Sequence, residues 1–578
     1  MQAVLERFDT LDFFADIGPD ARMAMADAGC WFSLAGGAML YEQGTPSDQI
    51  YFVLSGRLIV SRTNDETSNI IGYIGAGEPV GEMSLLLDEP HTATVFALRD
   101  TELLAIPHSE FDRLLEQYGD VAAVLSRTML RRARKPSVTF RKSSPRVFVL
   151  IGSSRSIDID RQAERLGEAA RNLGVKVLVM TDREEAPDSV AFDREEERHD
   201  LVILSARIAD NAWYRFVLRH ADRFLVFARR DALPPKPFPL SLGDNTPAGH
   251  FRLVDLVMLE EGVQACPLLD WKEAVGAQRA FRWNSKDDFA RLARVIAGQS
   301  VGVVMSGGGA RAYAHIGAMR ALRERNIPID FFGGTSMGGI VAACVAMGWT
   351  DAEVDYRVQN AFVDSNPLSD FRLPVVSLTE GCVVERRLKE HFGDALIEET
   401  QVPYFCVSAD LASGRAHVHW HGLLWEALRA SISLPGILPP VVEGDQLLVD
   451  GALINNFPVD VMAGSHRGMN IGIDVARRST IDPELYRDPP GFFGWVRNHG
   501  IRTTPPIVGL LMRSATTRRE STMIYHPADI TITPDVNGVD LRDWKEYDRA
   551  VDEGYSATIE AIDAHPALAT FQSGVTLL

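Results

Sequence analysis

Hydrophobic and polar positions follow three successive patterns along this chain of 578 residues. Short apolar runs with a period near two, separated by turn residues, occupy 37–106 and indicate a small antiparallel β structure. From Val147 to Leu259 apolar runs alternate with helical periodicity, which is typical of a parallel sheet with crossover helices. A third pattern begins at Val301 and repeats strand, glycine turn and helix twice before Trp349. The chain is therefore predicted to contain several domains.

Four segments follow from these patterns. Residues 10–132 are predicted to form a β-barrel or jelly roll closed by a helix over Phe111–Arg132, followed by a basic linker over 133–144. Residues 145–285 are predicted to form a doubly wound, Rossmann-like α/β spacer domain. Residues 286–578 are predicted to form a second α/β domain with a C-terminal extension.

Composition narrows the class of protein. The net charge of −19 disfavours nucleic acid as a partner, and five cysteines without a C-x-x-C pair suit a reducing cytoplasm. Charged residues from Glu6 to Asp12 argue against a signal peptide. The segment Phe331–Trp349 approaches the length of a membrane span, but its glycines, among them Gly333, Gly334, Gly338 and Gly339, favour a buried strand, turn and helix. We therefore expect a cytoplasmic protein without a transmembrane helix.

Two glycine turns are candidates for chemistry. Gly334-Thr335-Ser336-Met337-Gly338 has the form G-x-S-x-G, in which flanking glycines let a sharp turn expose the serine hydroxyl. The consecutive amides of Gly307, Gly308 and Gly309 would suit an oxyanion. Each turn alone also fits a plain tight turn, and Gly307-x-Gly309-x-x-Ala312 also fits a loose dinucleotide fingerprint.

A carboxylate completes the pattern. The apolar run Leu447–Val449 is predicted to be a strand that ends in Asp450-Gly451-Ala452. An aspartate at a strand end can approach a serine hydroxyl on a neighbouring strand and act as its general base. An ordinary turn aspartate is the alternative.

Together, GGGAR, GTSMG and DGA in this order resemble the patatin-like phospholipase family. The resemblance extends to Ala430–Pro435 and departs from the family at Ala312, where glycine is usual. It implies a Ser-Asp dyad of Ser336 and Asp450, without a cofactor or metal. It further implies an oxyanion hole framed by Gly307, Gly308, Gly309 and Arg311, a nucleophile elbow with Gly334 and Gly338, and an acid motif with Gly451 and Ala452.

The N-terminal segment carries a second resemblance. Residues 51–56, Gly81-Glu82 and Pro90–Thr94 resemble the cyclic-nucleotide-binding domain family. The resemblance implies a ligand site at Gly81, Glu82, His91 and Thr92, with Glu82 on the ribose. His91 stands where the family has an arginine for the cyclic phosphate, and a neutral imidazole does not replace a permanently charged guanidinium. We expect a regulatory or packing domain in preference to a working nucleotide sensor.

Three further features each have a structural and a functional interpretation. The basic residues from Arg131 to Lys142 are a solvated linker or a patch for anionic lipid at the inner membrane surface. His417, His419 and His421 share one face of a strand or hold a metal, and no carboxylate partner is evident, so no metal is predicted. The apolar segments Pro489–Val496 and Ile507–Met512 are core or a lipid-facing lid.

The order of barrel, α/β spacer and patatin-like domain, with Asp288–Gly298 before the glycine turn, resembles the bacterial relatives of neuropathy target esterase. It implies a serine esterase that hydrolyses phospholipid or lysophospholipid acyl esters. One alternative is a Ser-His-Asp esterase or thioesterase that uses His466, His499 or His526. The other is a non-catalytic cyclic-nucleotide-responsive binding protein.

Overall fold

The computed structural model describes residues 2–64, 67–134, 145–182, 186–187, 189–235, 238–240, 253–259, 266–365, 367–372, 375–476, 528–541, 543–565 and 568. The chain divides into two compact units, Met1–Ala297 and Gly298–Leu578. No helix in the described ranges is both long and apolar enough to cross a membrane.

The first unit begins with a β-roll of two four-stranded antiparallel sheets. Its strands are β1 (Cys30–Leu34), β2 (Met39–Tyr41), β3 (Gln49–Ser55), β4 (Arg57–Asn64), β5 (Thr67–Gly75), β6 (Pro79–Val80), β7 (Thr94–Ala97) and β8 (Thr101–Pro107). One sheet has the order β1-β8-β3-β6 and the other has the order β2-β7-β4-β5. Their apolar positions meet a helical layer in a core that contains Phe14, Phe52 and Phe111. The predicted β strands are thus present, with β1 and the two-residue β6 in addition.

Six helices accompany the β-roll, namely α1 (Gln2–Phe8), α2 (Asp12–Ala15), α3 (Pro19–Ala28), α4 (Glu82–Leu87), α5 (His108–Gln117) and α6 (Gly119–Arg134). The prediction of one closing helix over Phe111–Arg132 was wrong. Tyr118 takes an extended backbone with φ −123° and ψ 94°, which ends α5, and α6 starts afresh at Gly119.

The second part of this unit is a six-stranded parallel sheet. Its strands are β9 (Val147–Gly152), β10 (Val177–Met180), β11 (Leu201–Arg207), β12 (Arg223–Arg229), β13 (Val254–Leu259) and β14 (Arg279–Arg282), in the order β10-β11-β9-β12-β13-β14. Its helices are α7 (Ile159–Arg171), α8 (Ser189–Arg198), α9 (Ala212–His220), α10 (Leu268–Val275) and α11 (Lys286–Ile296). The strand order reverses direction at β9, as expected of an open α/β sheet. The short edge strand β14 carries three polar or small residues in four and was not predicted.

Helix α11 packs on this sheet layer. Ser285 and Asp288 form a capping box at its start, and the Arg165 guanidinium lies 4.1 Å from the centre of the Phe289 ring. The predicted boundary between 285 and 286 precedes this helix, whereas the two compact units divide after it.

A buried ion network joins the β-roll to the α/β sheet within this unit. Arg99 donates from both terminal nitrogens to Glu196 at 2.9 and 2.8 Å, and its Nε lies 3.4 Å from Asp222. Arg57 lies 3.1 Å from the same Asp222, whose Oδ2 also accepts from the amides of Arg146 and Val147. Arg57 begins β4 and Arg99 follows β7 of the roll, whereas the carboxylates belong to the α/β layer.

The second unit is built on an eight-stranded mixed sheet. Its strands are β15 (Val301–Met305), β16 (Phe331–Thr335), β17 (Tyr404–Asp410), β18 (Arg415–His419), β19 (Val441–Glu443), β20 (Gln446–Asp450), β21 (Met469–Ile473) and β22 (Ile530–Ile532). The order is β19-β20-β17-β16-β15-β21-β22, and β18 pairs with β17. Strands β15, β16, β17, β21 and β22 are mutually parallel, while β18 and β20 run antiparallel to β17.

Helices cover this sheet. They are α12 (Ala314–Glu324), α13 (Met337–Ala346), α14 (Asp351–Val358), α15 (Cys382–Phe392), α16 (Leu424–Ser431), α17 (Val459–Ser465) and α18 (Tyr547–Ala564), with 3₁₀ turns at Gly309–Tyr313, Ile397–Glu399 and Gly451–Leu453 and a π turn at Gln359–Val363. Every residue of α13 is buried, so the segment that resembled a membrane span is a core helix, as predicted.

Helices α12 and α18 cross with their backbones almost in contact. A β-carbon built on Gly317 would lie 1.8 Å from the carbonyl oxygen of Val551, and one built on Gly554 would lie 1.9 Å from that of Ala314. Only glycine at both positions permits this approach.

Candidate active site

Ser336 occupies the sharp turn between β16 and α13. Its φ of 55° and ψ of −132° place a residue with a side chain in a region that favours glycine. A β-carbon on Gly334 would lie 2.8 Å from the carbonyl carbon of Gly338, and one on Gly338 would lie 2.4 Å from the Ser306 carbonyl oxygen. The glycines on either side are therefore required by close backbone contacts within the turn and with the end of β15.

Asp450 reaches this turn because two strands meet end to end. Val407 of β17 pairs with Thr335 of β16 and with Val418 of β18. Ser408, the next residue, pairs with Asp450 of β20 and again with β18. Since β18 occupies one edge of β17, β16 and β20 share the other edge. One runs parallel and the other antiparallel to β17, so their carboxyl ends face each other.

The junction leaves no room for a side chain. A β-carbon on Gly451 would lie 2.2 Å from the Val407 carbonyl oxygen and 2.8 Å from Thr335 Cγ2. This contact explains the glycine that follows the aspartate. The amide of Ala452 donates to Asp450 Oδ1 at 2.9 Å and orients the carboxylate.

Ser336 and Asp450 are joined directly. The Ser336 hydroxyl donates to Asp450 Oδ2 at 2.7 Å, and Asp450 is 3% exposed. Burial raises the pKa of Asp450 to about 6, while the hydrogen bonds from the Ala452 amide and from Ser336 oppose that rise. A carboxylate with this pKa can accept a proton from a serine hydroxyl at neutral pH.

The glycine loop, Gly307–Gly309, lies against the serine, since a β-carbon on Gly307 would be 3.1 Å from Ser336 Cβ. The Gly307 amide, however, donates to the Asn456 carbonyl at 3.1 Å, and the Arg311 Nε donates to the Val539 carbonyl at 2.7 Å. The resemblance implies that both residues frame an oxyanion, and here the Gly307 amide and the Arg311 Nε each contact a backbone carbonyl. Within the described part of the chain, the amides of Gly308 and Gly309 donate to no residue.

The start of α13 supplies further donors. The first amides of a helix have no partner inside it, and here they follow Ser336 directly. The Met337 amide therefore stands where the residue after a nucleophilic serine commonly contributes to an oxyanion hole. The sequence analysis did not name Met337.

Two polar residues that support the site were also missed. The Ser336 amide donates to Ser431 Oγ at 2.9 Å, and the Ser431 hydroxyl donates to the Val407 carbonyl at 2.7 Å. Asn456 Nδ2 donates to the Gly307 carbonyl at 3.2 Å. Ser431 lies in the stretch Ala430–Pro435 that the resemblance included, but only the folded chain shows what Ser431 and Asn456 contact.

A Ser-His-Asp esterase would need His466, His499 or His526 near Ser336. His466 is buried with its ring nitrogens 3.0 Å from Ser300 Oγ and 3.0 Å from Asn470 Oδ1, and its ring stacks on Phe331. Ser300 and Phe331 lie at the amino ends of β15 and β16, whereas Ser336 follows the carboxyl end. His466 is therefore not a partner of Ser336. His499 and His526 lie outside the described residues.

Two of the three alternating histidines, His417 and His419, lie on β18. The rings of His417 and His419 are 4.5 Å apart, whereas His421 is exposed beyond the strand. His419 is buried, and burial together with its two histidine neighbours lowers its pKa to about 3. Its Nε2 lies 2.7 Å from Ser408 Oγ.

The predicted nucleotide site of the β-roll is partly assembled. Gly81 precedes α4 with a φ of 86°, and a β-carbon on it would lie 3.7 Å from His91 Cε1. Glu82 and His91 are both buried, whereas Thr92 is exposed. The His91 ring stacks on Tyr41 at 3.6 Å, and burial lowers its pKa, so the imidazole is neutral at pH 7. The position that resembles a phosphate-binding arginine thus carries no charge.

Two predicted features fall largely outside the described residues. They are the basic linker from 135 onward and the apolar segments Pro489–Val496 and Ile507–Met512.

Comparison with protein-family models gives two matches. Residues 303–463 match the patatin-like phospholipase model, and residues 31–118 match the cyclic nucleotide-binding domain model. The first range contains the glycine loop, Ser336 and Asp450, and the second contains Glu82 and His91. The patatin-like domain implies lipid acyl hydrolase activity.

Relatives extend the similarity over most of the chain. An uncharacterized NTE family protein of Mycobacterium tuberculosis strain H37Rv is 31% identical over 92% of this chain and 91% of its own length. The human patatin-like phospholipase domain-containing protein 6 is 27% identical over 80% of this chain and 39% of its own length. With a patatin-like phospholipase domain and an N-terminal cyclic nucleotide-binding domain, the chain belongs to the NTE family.

Proposed function

We propose that this protein is a serine esterase that hydrolyses the acyl esters of phospholipids or lysophospholipids with Ser336 and Asp450 as its catalytic dyad. The observation that carries the proposal is the 2.7 Å hydrogen bond from the Ser336 hydroxyl to the buried Asp450 carboxylate. Family membership supports the lipid acyl ester, and the sequence order of the motifs supports the same roles.

The first half of the reaction uses the hydrogen bond between the two side chains. Ser336 Oγ attacks the acyl carbonyl carbon while Asp450 takes the hydroxyl proton. The amides of Gly308, Gly309 and Met337 are the donors available for the carbonyl oxygen as it gains negative charge, and one such donor is worth about 2.7–4 kcal/mol. Asp450 then gives its proton to the departing alkoxide, which leaves an acyl ester on Ser336.

The second half repeats these roles with water. Asp450, again a carboxylate, takes a proton from water, whose oxygen attacks the acyl-serine carbonyl. The tetrahedral intermediate collapses, the fatty acid leaves, and the proton returns from Asp450 to Ser336 Oγ. A single carboxylate thus handles every proton transfer, and no histidine is needed.

Covalent labelling tests the proposal. A fluorophosphonate probe should label the full-length protein at Ser336, and Ser336→Ala should abolish both labelling and hydrolysis of lysophosphatidylcholine. Ser413→Ala is the matched control, because Ser413 is an exposed serine that contacts Asp410 outside the site. An ether-linked lipid of the same head group should not be cleaved. Hydrolysis that survives in Ser336→Ala would overturn the dyad.

The same assay separates the alternatives. A Ser-His-Asp esterase would lose activity in His499→Ala or His526→Ala, whereas the dyad predicts that both variants stay active. A non-catalytic binding protein would show no labelling and no hydrolysis in the natural sequence.

For the N-terminal domain we propose a regulatory or packing role without tight cyclic nucleotide binding. The neutral, stacked His91 at the phosphate position supports this. Calorimetry with cyclic AMP and cyclic GMP should show no binding at submillimolar concentration. Binding in that range that is lost in Glu82→Ala would contradict the proposal.

A further inference from the structure

A carboxylate that the sequence analysis did not identify lies beside His417 and His419 of β18. Glu443, at the end of β19, brings its carboxylate into a group with His417 and His419 in which the three ligand atoms lie within 4.8 Å of one another. Glu443 follows His419 by 24 positions in the sequence, and the pairing of β19 with β20 and of β20 with β17 brings it there. We call these three residues the histidine cluster.

We propose that the histidine cluster, His417, His419 and Glu443, is a binding site for a divalent transition metal of the zinc class. Two imidazoles and one carboxylate are ligands that zinc accepts, with water in the fourth position. Ligand atoms bound to zinc at about 2.0–2.1 Å lie roughly 3.3 Å apart, so the group must close slightly around the ion. Glu443 is exposed and can supply that movement by side-chain rotation.

The surroundings orient both imidazoles. Nε2 of His419 lies 2.7 Å from Ser408 Oγ, and Nδ1 of His417 lies 3.2 Å from the Gln446 side-chain amide. Metal-binding histidines commonly use their second ring nitrogen in this way, which fixes the ring and leaves the other nitrogen for the ion. Rotation of the Gln446 amide would place its oxygen as an acceptor for the His417 proton.

Charge and access also suit a cation. Among the described residues Glu443 makes no ion pair, so its carboxylate is not neutralised by a lysine or arginine. The cluster passes from buried His419 through half-buried His417 to exposed Glu443. A metal ion can therefore enter from solvent and reach ligands held by the sheet.

The ion would connect strands that hold Asp450. His417 and His419 belong to β18, and Glu443 belongs to the hairpin of β19 and β20, which ends at Asp450. These elements flank β17 on its two edges. A metal bridge across them would act as a structural clip that holds β20 in its register.

Direct binding measurements test the site without using hydrolysis. Full-length protein, freed of any affinity tag and carrying Cys30→Ser and Cys382→Ser to remove the exposed thiols, is stripped with chelator and titrated with Zn²⁺ by calorimetry. We expect one Zn²⁺ per chain and a higher melting temperature when zinc is bound. Glu443→Gln and His417→Ala should each weaken binding by at least about 10-fold.

His421→Ala is the matched control, because His421 is an exposed histidine on the same run and outside the cluster. It should bind zinc as the parent does. His419 is left unchanged, since its burial would confuse lost binding with lost folding. Absence of stoichiometric zinc, binding unchanged in Glu443→Gln and His417→Ala, or an equal loss in His421→Ala would each overturn the proposal.

Discussion

Asp450 combines burial with hydrogen bonds that have opposite effects on its proton affinity. Burial raises the pKa to about 6, and the donors Ala452 N–H and Ser336 O–H hold it from rising further. The group is therefore ionised at pH 7 and is still a stronger base than an exposed aspartate. Ser336, held at a positive φ, presents its hydroxyl to that carboxylate.

The pH dependence of hydrolysis follows from this pKa. The reaction needs Asp450 as a carboxylate, so kcat/KM on a zwitterionic lysophospholipid should rise with pH and reach half its plateau near pH 6. Stability changes in the opposite sense. The raised pKa stabilises the fold most below the ordinary aspartate pKa, and that contribution is lost as pH rises through about 6. A profile of kcat/KM against pH with its inflection near pH 4 would contradict the role of Asp450.

Replacement of the carboxylate should affect turnover more than binding. Asp450→Asn keeps the shape and removes the base, so kcat should fall by about 10²–10⁴-fold while KM changes little. Asp445→Asn, in the exposed turn of the same hairpin, is the control and should keep full activity. Steady-state kinetics on the two variants would decide, and an equal loss in both would point to hairpin folding.

At the scale of elements, the crossing of α12 and α18 offers a sharp stability test. Gly554→Ala would place a methyl group against the Ala314 carbonyl and force the helices apart. Overpacking of this kind costs about 1–3 kcal/mol. Gly464→Ala is the control, because a β-carbon there meets nothing within 4 Å and the change should stabilise helix α17 by about 0.5–1 kcal/mol. Chemical denaturation of the two variants should give shifts of opposite sign.

The strands and turns that position the dyad could be predicted from the sequence, but the hydrogen bonds that hold these turns in place could not. Two strands with glycine turns were predictable because apolar runs, glycines and polar ends carry local information. The engagement of the Gly307 amide by Asn456, and of the Ser336 amide by Ser431, depends on contacts between distant segments. The position of Glu443 beside His417 and His419 could not be predicted for the same reason. Gly119 stands directly after Tyr118, where α5 ends and α6 begins, but a single glycine does not distinguish a break from one continuous helix.

At the scale of the whole molecule, the buried ion network of the first unit couples the stability of the β-roll to that of the α/β sheet. Arg99 and Glu196 have side chains only 7% and 11% exposed, and the Glu196 carboxylate is compensated by Arg99, which also lies beside Asp222. Removal of one member of such a pair leaves a buried charge without its partner. The β-roll and the α/β sheet should therefore lose stability together.

Arg99→Leu tests this coupling. We expect a loss of about 3–5 kcal/mol in the free energy of unfolding, because Glu196 loses its cation and Asp222 keeps only Arg57. Arg215→Gln removes an exposed pair with Asp210, whose side chains are 56% and 91% exposed, and should cost about 1 kcal/mol or less. Urea unfolding monitored by tryptophan fluorescence compares the two. Equal effects would show that the buried network does not couple the folds.

Strands β16 and β20 meet end to end along one edge of β17. The proposed chemistry therefore depends on which residue of β20 is paired with each residue of β17. A slip of one residue in the pairing of β20 would turn Asp450 to the opposite face of the sheet, and a slip of two would carry it about 7 Å from Ser336. The register of β20 on β17, with Asp450 opposite Ser408, therefore decides whether the two side chains meet. An insertion within β20 that shifts Asp450 in this register would separate its carboxylate from the Ser336 hydroxyl.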